Sequence, residues 1–239
     1  MKRARNSPAK PRPTSGATAL EQLYRGVRQA RRPLVFLDID DVLCLSDPYG
    51  GYDVFSTEQQ PLDLWERLWH PPAVQTLLAI VEEHHPRIVI TSSWLRLMNR
   101  EGFIDAFRRT GLAAIADALH ESWEAPQLSG ATRLSAIEAW LHAQYRGEPL
   151  VVLDDALSGT GLRGSRLEKA GCVILCETGE GLHAGHLGAI RKALNDSTFR
   201  RRIAHRKNLY GNGKASPKIC AVLESAADDP IPLTKRFFP

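Results

Sequence analysis

Residues 33–41 read PLVFLDIDD, and this stretch decides the fold. Pro33 to Leu37 is a short apolar run that stops at acids. A run of that kind predicts a strand buried on both faces, the habit of parallel sheets. Working outward, Arg87-Ile88-Val89-Ile90-Thr91 and Leu150-Val151-Val152-Leu153 repeat the pattern, and Cys172 to Cys176 predicts a fourth strand. Between the first two, Pro71 and Pro72 open a helix whose Val74, Leu77, Leu78 and Val81 keep the i, i+3, i+4, i+7 spacing. Helices are expected around 100–110 and 112–120, over 133–143 with Leu134, Ile137, Trp140 and Leu141 on one face, and over 183–194. Residues 44–70 read as irregular. Strands alternating with helices predict an α/β fold, a doubly wound parallel sheet, over residues 31–196.

The chemistry is expected at the strand ends, because ligands of open α/β sheets bind beyond the carboxyl ends of the strands. The first strand ends in Asp38-Ile39-Asp40-Asp41, the second in Thr91-Ser92-Ser93, the third in Asp154-Asp155. Any one acid is explained as the cap of a following turn. Paired acids on two strands and hydroxyls on the other are not. Five carboxylates brought to one edge repel and resist desolvation, so they call for a cation. Oxygen ligands favour a hard ion, with Mg²⁺ the usual choice beside phosphate.

The net charge of +4 conceals an asymmetry. Residues 1–32 carry nine Lys/Arg against Glu21, a balance of +8, and residues 197–239 carry nine against Glu224, Asp228 and Asp229, a balance of +6. Residues 33–196 therefore carry −10. Residues 1–30 form a basic N-terminal arm, expected to be largely disordered apart from a short helix over 18–30, and 197–239 a basic C-terminal tail. Such arms suit a polyanionic partner such as nucleic acid, through counterion release. Solvated arms with no partner are the other reading. Cys44, Cys172, Cys176 and Cys220 follow no metal or CxxC spacing, so thiols in a reducing, cytoplasmic setting are expected. No apolar stretch reaches the roughly 18 residues of a membrane span, so no membrane partner is expected.

FLDIDDVL resembles the signature of the haloacid dehalogenase (HAD) superfamily, an apolar strand followed by Asp-x-Asp. IVITSS resembles its second motif and LVVLDD its fourth. SSW after the second strand, the LSAIEAWL helix and GEGLHAGH are similar to the HAD domains of Swiss Army Knife RNA-repair proteins. The resemblance covers about residues 33–196. It implies a HAD-like Rossmannoid. It implies a Mg²⁺-dependent phosphoric monoester hydrolase in which Asp38 attacks phosphorus and Asp40 is the general acid/base. Thr91, with Ser92, would bind the phosphoryl oxygens, and Asp41 would sit beside them at a position where glycine is frequent. Asp38, Asp154, Asp155 and the Asp40 carbonyl would hold Mg²⁺. The family usually brings a Lys as its third motif. No Lys lies between Lys10 and Lys169 here, so Arg133 is the expected stand-in. Leu95 falls where the repair-like subgroup tends to have Arg, and Arg96 is one position late.

About 50 residues separate the first two motifs, too few for a large cap domain. An open site suits bulky substrates, so the leading reading is a phosphatase of nucleotides or nucleic-acid phosphate ends. The alternatives are a capless phosphatase of phosphoprotein or small phosphomonoesters, and a catalytically lapsed HAD module that binds nucleic acid through its basic tails. Two further groups carry less. His183 and His186 read as surface histidines. Tyr52, Phe55, Trp65 and Trp69 read as loop packing or as base-stacking rings.

Overall fold

The computed structural model describes residues 32–57 and 59–195. Five strands form one all-parallel sheet in the order β3-β2-β1-β4-β5. They are β1 (Leu34–Leu37), β2 (Arg87–Ile90), β3 (Leu119–Glu124), β4 (Leu150–Asp155) and β5 (Val173–Cys176). The helices, in chain order, are α1 (Gly51–Phe55), α2 (Leu64–Arg67), α3 (Pro71–His84), α4 (Arg100–Arg109), α5 (Ala113–Asp117), α6 (Arg133–Gln144), α7 (Arg166–Lys169) and α8 (Leu187–Asn195). Short 3-10 turns cover Ser93–Arg96 and Ala184–His186. The chain winds outward from β1 through β2 to β3, then returns to β4 on the other side of β1. That reversal opens a crevice between the carboxyl ends of β1 and β4.

All four β1 residues are buried, and alternate side chains serve opposite faces. Val35 and Leu37 join Ala73, Leu77 and Ile80 of α3, Phe103 and Phe107 of α4 and Ile190 of α8 in one core. On the other face Phe36 meets Trp140 of α6 edge-on, with ring centroids 5.2 Å apart. A buried leucine or phenylalanine stabilises by roughly 1.5–3 kcal/mol, so the central strands anchor the fold.

The structure corrects the sequence reading in four places. The helix expected over 112–120 is the single turn α5, followed by β3. β3 lies at the sheet edge and reads LHESWE, with only Leu119 fully buried, so it lacks the apolar run of an inner strand. Residues 44–70, read as irregular, contain α1 and α2, both too short for a periodic pattern. The deepest stripe of α3 is Ala73, Thr76, Leu77 and Ile80, and the small Ala73 faces the core, whereas Val74, Leu78 and Val81 are half-buried. The buried stripe of α6 is Arg133, Ala136, Ile137 and Trp140, which carries an arginine inward with the apolar face. Among the described residues, no large cap domain lies between β1 and β2. Cys44, Cys172 and Cys176 are buried and form no disulfide among the described residues. Among the described residues no helix is long and apolar enough to cross a membrane. The helix expected over 18–30, both basic arms and Cys220 lie outside the described residues.

Candidate active site

The hydrogen-bond ladder runs one residue past the ends of β1 and β2. Asp38 N–H donates to the Leu153 carbonyl and Thr91 N–H to the Leu37 carbonyl, each at 2.9 Å. Asp38 is thereby fixed between Thr91 and the acidic end of β4. Asp38, Asp154 and Asp155 are all buried, and each offers a carboxylate oxygen within 4.8 Å of the others. Burial, then the neighbouring Asp38, raises the Asp154 carboxyl to about 8. Burial also raises Asp38, against the opposing pull of Arg133.

Arg133 is the counter-charge. As the first residue of α6 on its buried stripe, its side chain is 2% exposed. Its Nη2 lies 3.3 Å from Asp38 Oδ1 and its Nε 2.9 Å from Asp154 Oδ2. Neither contact is a directed hydrogen bond, and Arg133 Nη1 has no acceptor among the described residues. Three buried carboxylates thus face one guanidinium, and Asp38 Oδ1 and Asp154 Oδ2 are left without a donor. A charge-deficient, oxygen-only set of this kind fits a hard divalent cation.

Sequence reasoning missed Ser158. Its hydroxyl lies 2.9 Å from Asp38 Oδ2 and 3.1 Å from Asp154 Oδ1, and it is hydrogen-bonded to Asp155 Oδ2. A hydroxyl has one proton to donate, so it cannot satisfy three carboxylates. Asp155 Oδ1 accepts from the N–H groups of Leu157 at 2.6 Å and Ser158 at 2.9 Å, a side-chain turn that places the serine. The signal available in the sequence was a serine three residues after the paired acids.

The Asp40 carboxylate is not part of that triad. Trp94 Nε1–H reaches both its oxygens, at 2.9 and 3.0 Å, and Ser93 Oγ donates to it at 3.2 Å. Burial raises Asp40, and the bonds from Trp94 and Ser93 oppose the rise. Trp94 is itself buried, stacked on Trp69 and edge-on to Phe55. The indole of the SSW segment therefore sets the direction of this carboxylate, a partnership invisible in sequence. Asp41 adopts φ 54, which explains a position where glycine is frequent. Its carboxylate makes no hydrogen bond among the described residues. The turn is braced from behind by Gly181, at φ +64, where a Cβ would meet Leu45 Cδ2 at 2.8 Å and the Val42 carbonyl at 3.0 Å.

The hydroxyls at the end of β2 divide. Thr91 Oγ1 is buried with no partner among the described residues, whereas Ser92 Oγ accepts from Trp94 N–H at 3.3 Å and caps the 3-10 turn. His183 and His186 stand with ring centroids 4.0 Å apart, half-buried, and their Nδ1 atoms accept local backbone N–H bonds. Phe55 and Trp69 pack on Trp94, Arg109 lies 4.6 Å above the Trp65 ring, and Tyr52 is exposed.

Above about pH 8, where Asp154 is ionised, Arg133→Ala should destabilise the metal-free protein by about 3–5 kcal/mol, because it strands Asp38 and Asp154 as buried charges. Denaturant unfolding measures this, and Mg²⁺ should recover part of the loss. An unchanged midpoint would mean that these acids are protonated and need no counter-charge.

Residues 34–187 match the family described as the HAD domain in Swiss Army Knife RNA repair proteins. No curated protein and no solved structure matches the chain.

Proposed function

Since this chain belongs to the family of HAD domains found in Swiss Army Knife RNA repair proteins, we propose that it is a Mg²⁺-dependent phosphatase acting on nucleotides or nucleic-acid phosphate ends. The observation that carries the reading is the division of the Asp-x-Asp pair. Asp38 sits buried beside Arg133 and the β4 acids, while Asp40 is held apart by Trp94 and Ser93. Two carboxylates in different surroundings suit two roles.

An Asp38 carboxylate oxygen attacks phosphorus, and the bond to the leaving oxygen breaks as Asp40 delivers its proton there. Asp40, now ionised, takes a proton from water. That water attacks the aspartyl-phosphate, releasing phosphate and restoring Asp38. Arg133 Nη1 and Thr91 Oγ1, both without partners among the described residues, would bind phosphoryl oxygens. Arg133 thus supplies the positive charge that a Lys usually brings. Mg²⁺ held by Asp38, Asp154, Asp155 and the Asp40 carbonyl would neutralise charge on the transferring group.

The basic arms support a nucleic-acid substrate, because a described domain of net negative charge would otherwise repel a polyanion. A phosphate-release screen over nucleotides, 3′- and 5′-phosphorylated oligonucleotides, phosphopeptides and an aryl phosphate tests the substrate class. Deleting residues 1–30 should lower the rate on an oligonucleotide, relative to the aryl phosphate, by roughly tenfold at low salt. The gap should close as ionic strength rises and the Debye length shrinks. An unchanged ratio would reduce the reading to a general phosphomonoesterase.

A further inference from the structure

An open cavity of about 570 Å³ lies beside Asp40, and Asp40 forms part of its wall. Its size falls within the roughly 300–1,000 Å³ of small-molecule sites. If Asp40 protonates the leaving oxygen, this cavity is where the leaving group lies, so its position in the reaction rests on the phosphatase reading above. The lining then describes the leaving group.

Two large apolar side chains stand exposed at this cavity, Tyr52 at 82% and Leu97 at 68%. The floor is aromatic, with Phe55 edge-on to Trp94. Hydroxyls of Ser46, Thr57 and Ser93 also line it. Gly51, the first residue of α1, lies so close to Asp40 and its partner Trp94 that a Cβ there would come 2.8 Å from Trp94 Nε1 and 3.5 Å from Asp40 Oδ1. The start of the helix is therefore packed against Asp40 and Trp94, and Tyr52, the next residue, lines the same cavity as Asp40. No Lys or Arg lines the cavity among the described residues, and Arg133 is committed to Asp38 and Asp154. An uncharged group with a flat ring and several hydroxyls matches this wall, whereas a second phosphate would find no counter-charge among its described residues.

We infer that the cavity binds the nucleoside that leaves, with its base against Tyr52 and Leu97 and its sugar toward the hydroxyls. The substrate is then a nucleoside monophosphate or the phosphorylated terminal residue of a strand, with the rest of the strand outside the cavity.

Adenosine, the product without its phosphate, is the direct probe. Ligand-observed NMR titration of full-length protein should show saturable adenosine binding, weakened roughly tenfold in Tyr52→Ala, the loss expected of one stacked base. Tyr52 is exposed, so this change does not threaten the fold. The ratio of kcat/KM for adenosine 3′- or 5′-monophosphate over glycerol phosphate should fall by a similar factor, through KM. Adenosine that fails to saturate, or binds both proteins alike, overturns the inference even if phosphate esters are hydrolysed. A preference for phosphotyrosine over both nucleotides also overturns it, by assigning the cavity to a phenol. Adenosine binding lost in Tyr52→Ala, with no phosphate released from any ester, upholds the cavity and removes the phosphatase reading instead.

Discussion

Asp38→Asn should leave less than about one per cent of wild-type turnover, because removal of a nucleophile costs several kcal/mol of barrier. The amide keeps the shape of the carboxylate but attacks phosphorus poorly. The protein should still fold. Burial raises the Asp38 carboxyl, which shows that its charge is held at a cost, and a neutral amide removes that cost. Thermal unfolding should therefore occur at the wild-type temperature or above it, while phosphate release on an aryl phosphate disappears. Substantial turnover in a folded Asp38→Asn protein would remove the covalent mechanism.

Chelation should abolish activity and destabilise the protein, most strongly at high pH. Asp154 titrates near 3.8 when unfolded and is raised to about 8 when folded, by burial first and Asp38 second. The folded metal-free protein therefore holds a proton that the unfolded chain has lost. Its stability from this group is full below about pH 4 and is lost as pH climbs through about 8. A divalent ion replaces the proton as counter-charge, so Mg²⁺ should raise Tm more at about pH 8 than at about pH 6. Scans of Tm with EDTA and with Mg²⁺ across that range measure the effect. Full activity in EDTA, or a Tm indifferent to Mg²⁺ at every pH, would mean that Asp38, Asp154 and Asp155 do not form a metal site.

The inner strands were legible because burial on both faces forces an unbroken apolar run, as in Leu34–Leu37 and Leu150–Leu153. The strand ends were legible because the acids and hydroxyls follow those runs directly. β3 was not, since an edge strand tolerates His120, Glu121 and Ser122. Arg133 could be named from sequence, but its burial depends on α6 turning that residue toward Asp38. Trp94 and Ser158 escaped for one reason. The indole bonds Asp40 from 54 positions away, and the hydroxyl bonds Asp38 from 120 positions away. Periodicity and local motifs carry no information about such partners. The aromatic residues of 44–70 show the same limit. The sequence weighed packing against stacking for all four together, and the structure separates buried Trp69 and half-buried Phe55 from exposed Tyr52.

The claim that Asp38 and Asp40 divide one reaction between them is tested most directly in Asp40→Asn. That protein retains the nucleophile but lacks the base that activates water, so the aspartyl-phosphate should accumulate when the leaving group is good enough to depart without an acid. The measurement is acid quenching of Asp40→Asn soon after mixing with an aryl phosphate and Mg²⁺, followed by mass spectrometry of its peptides. The account predicts a phosphoryl group on the peptide containing Asp38, absent when Asp38 is also changed to Asn. Phosphate release with no label on that peptide, or a label on any other residue, would contradict it.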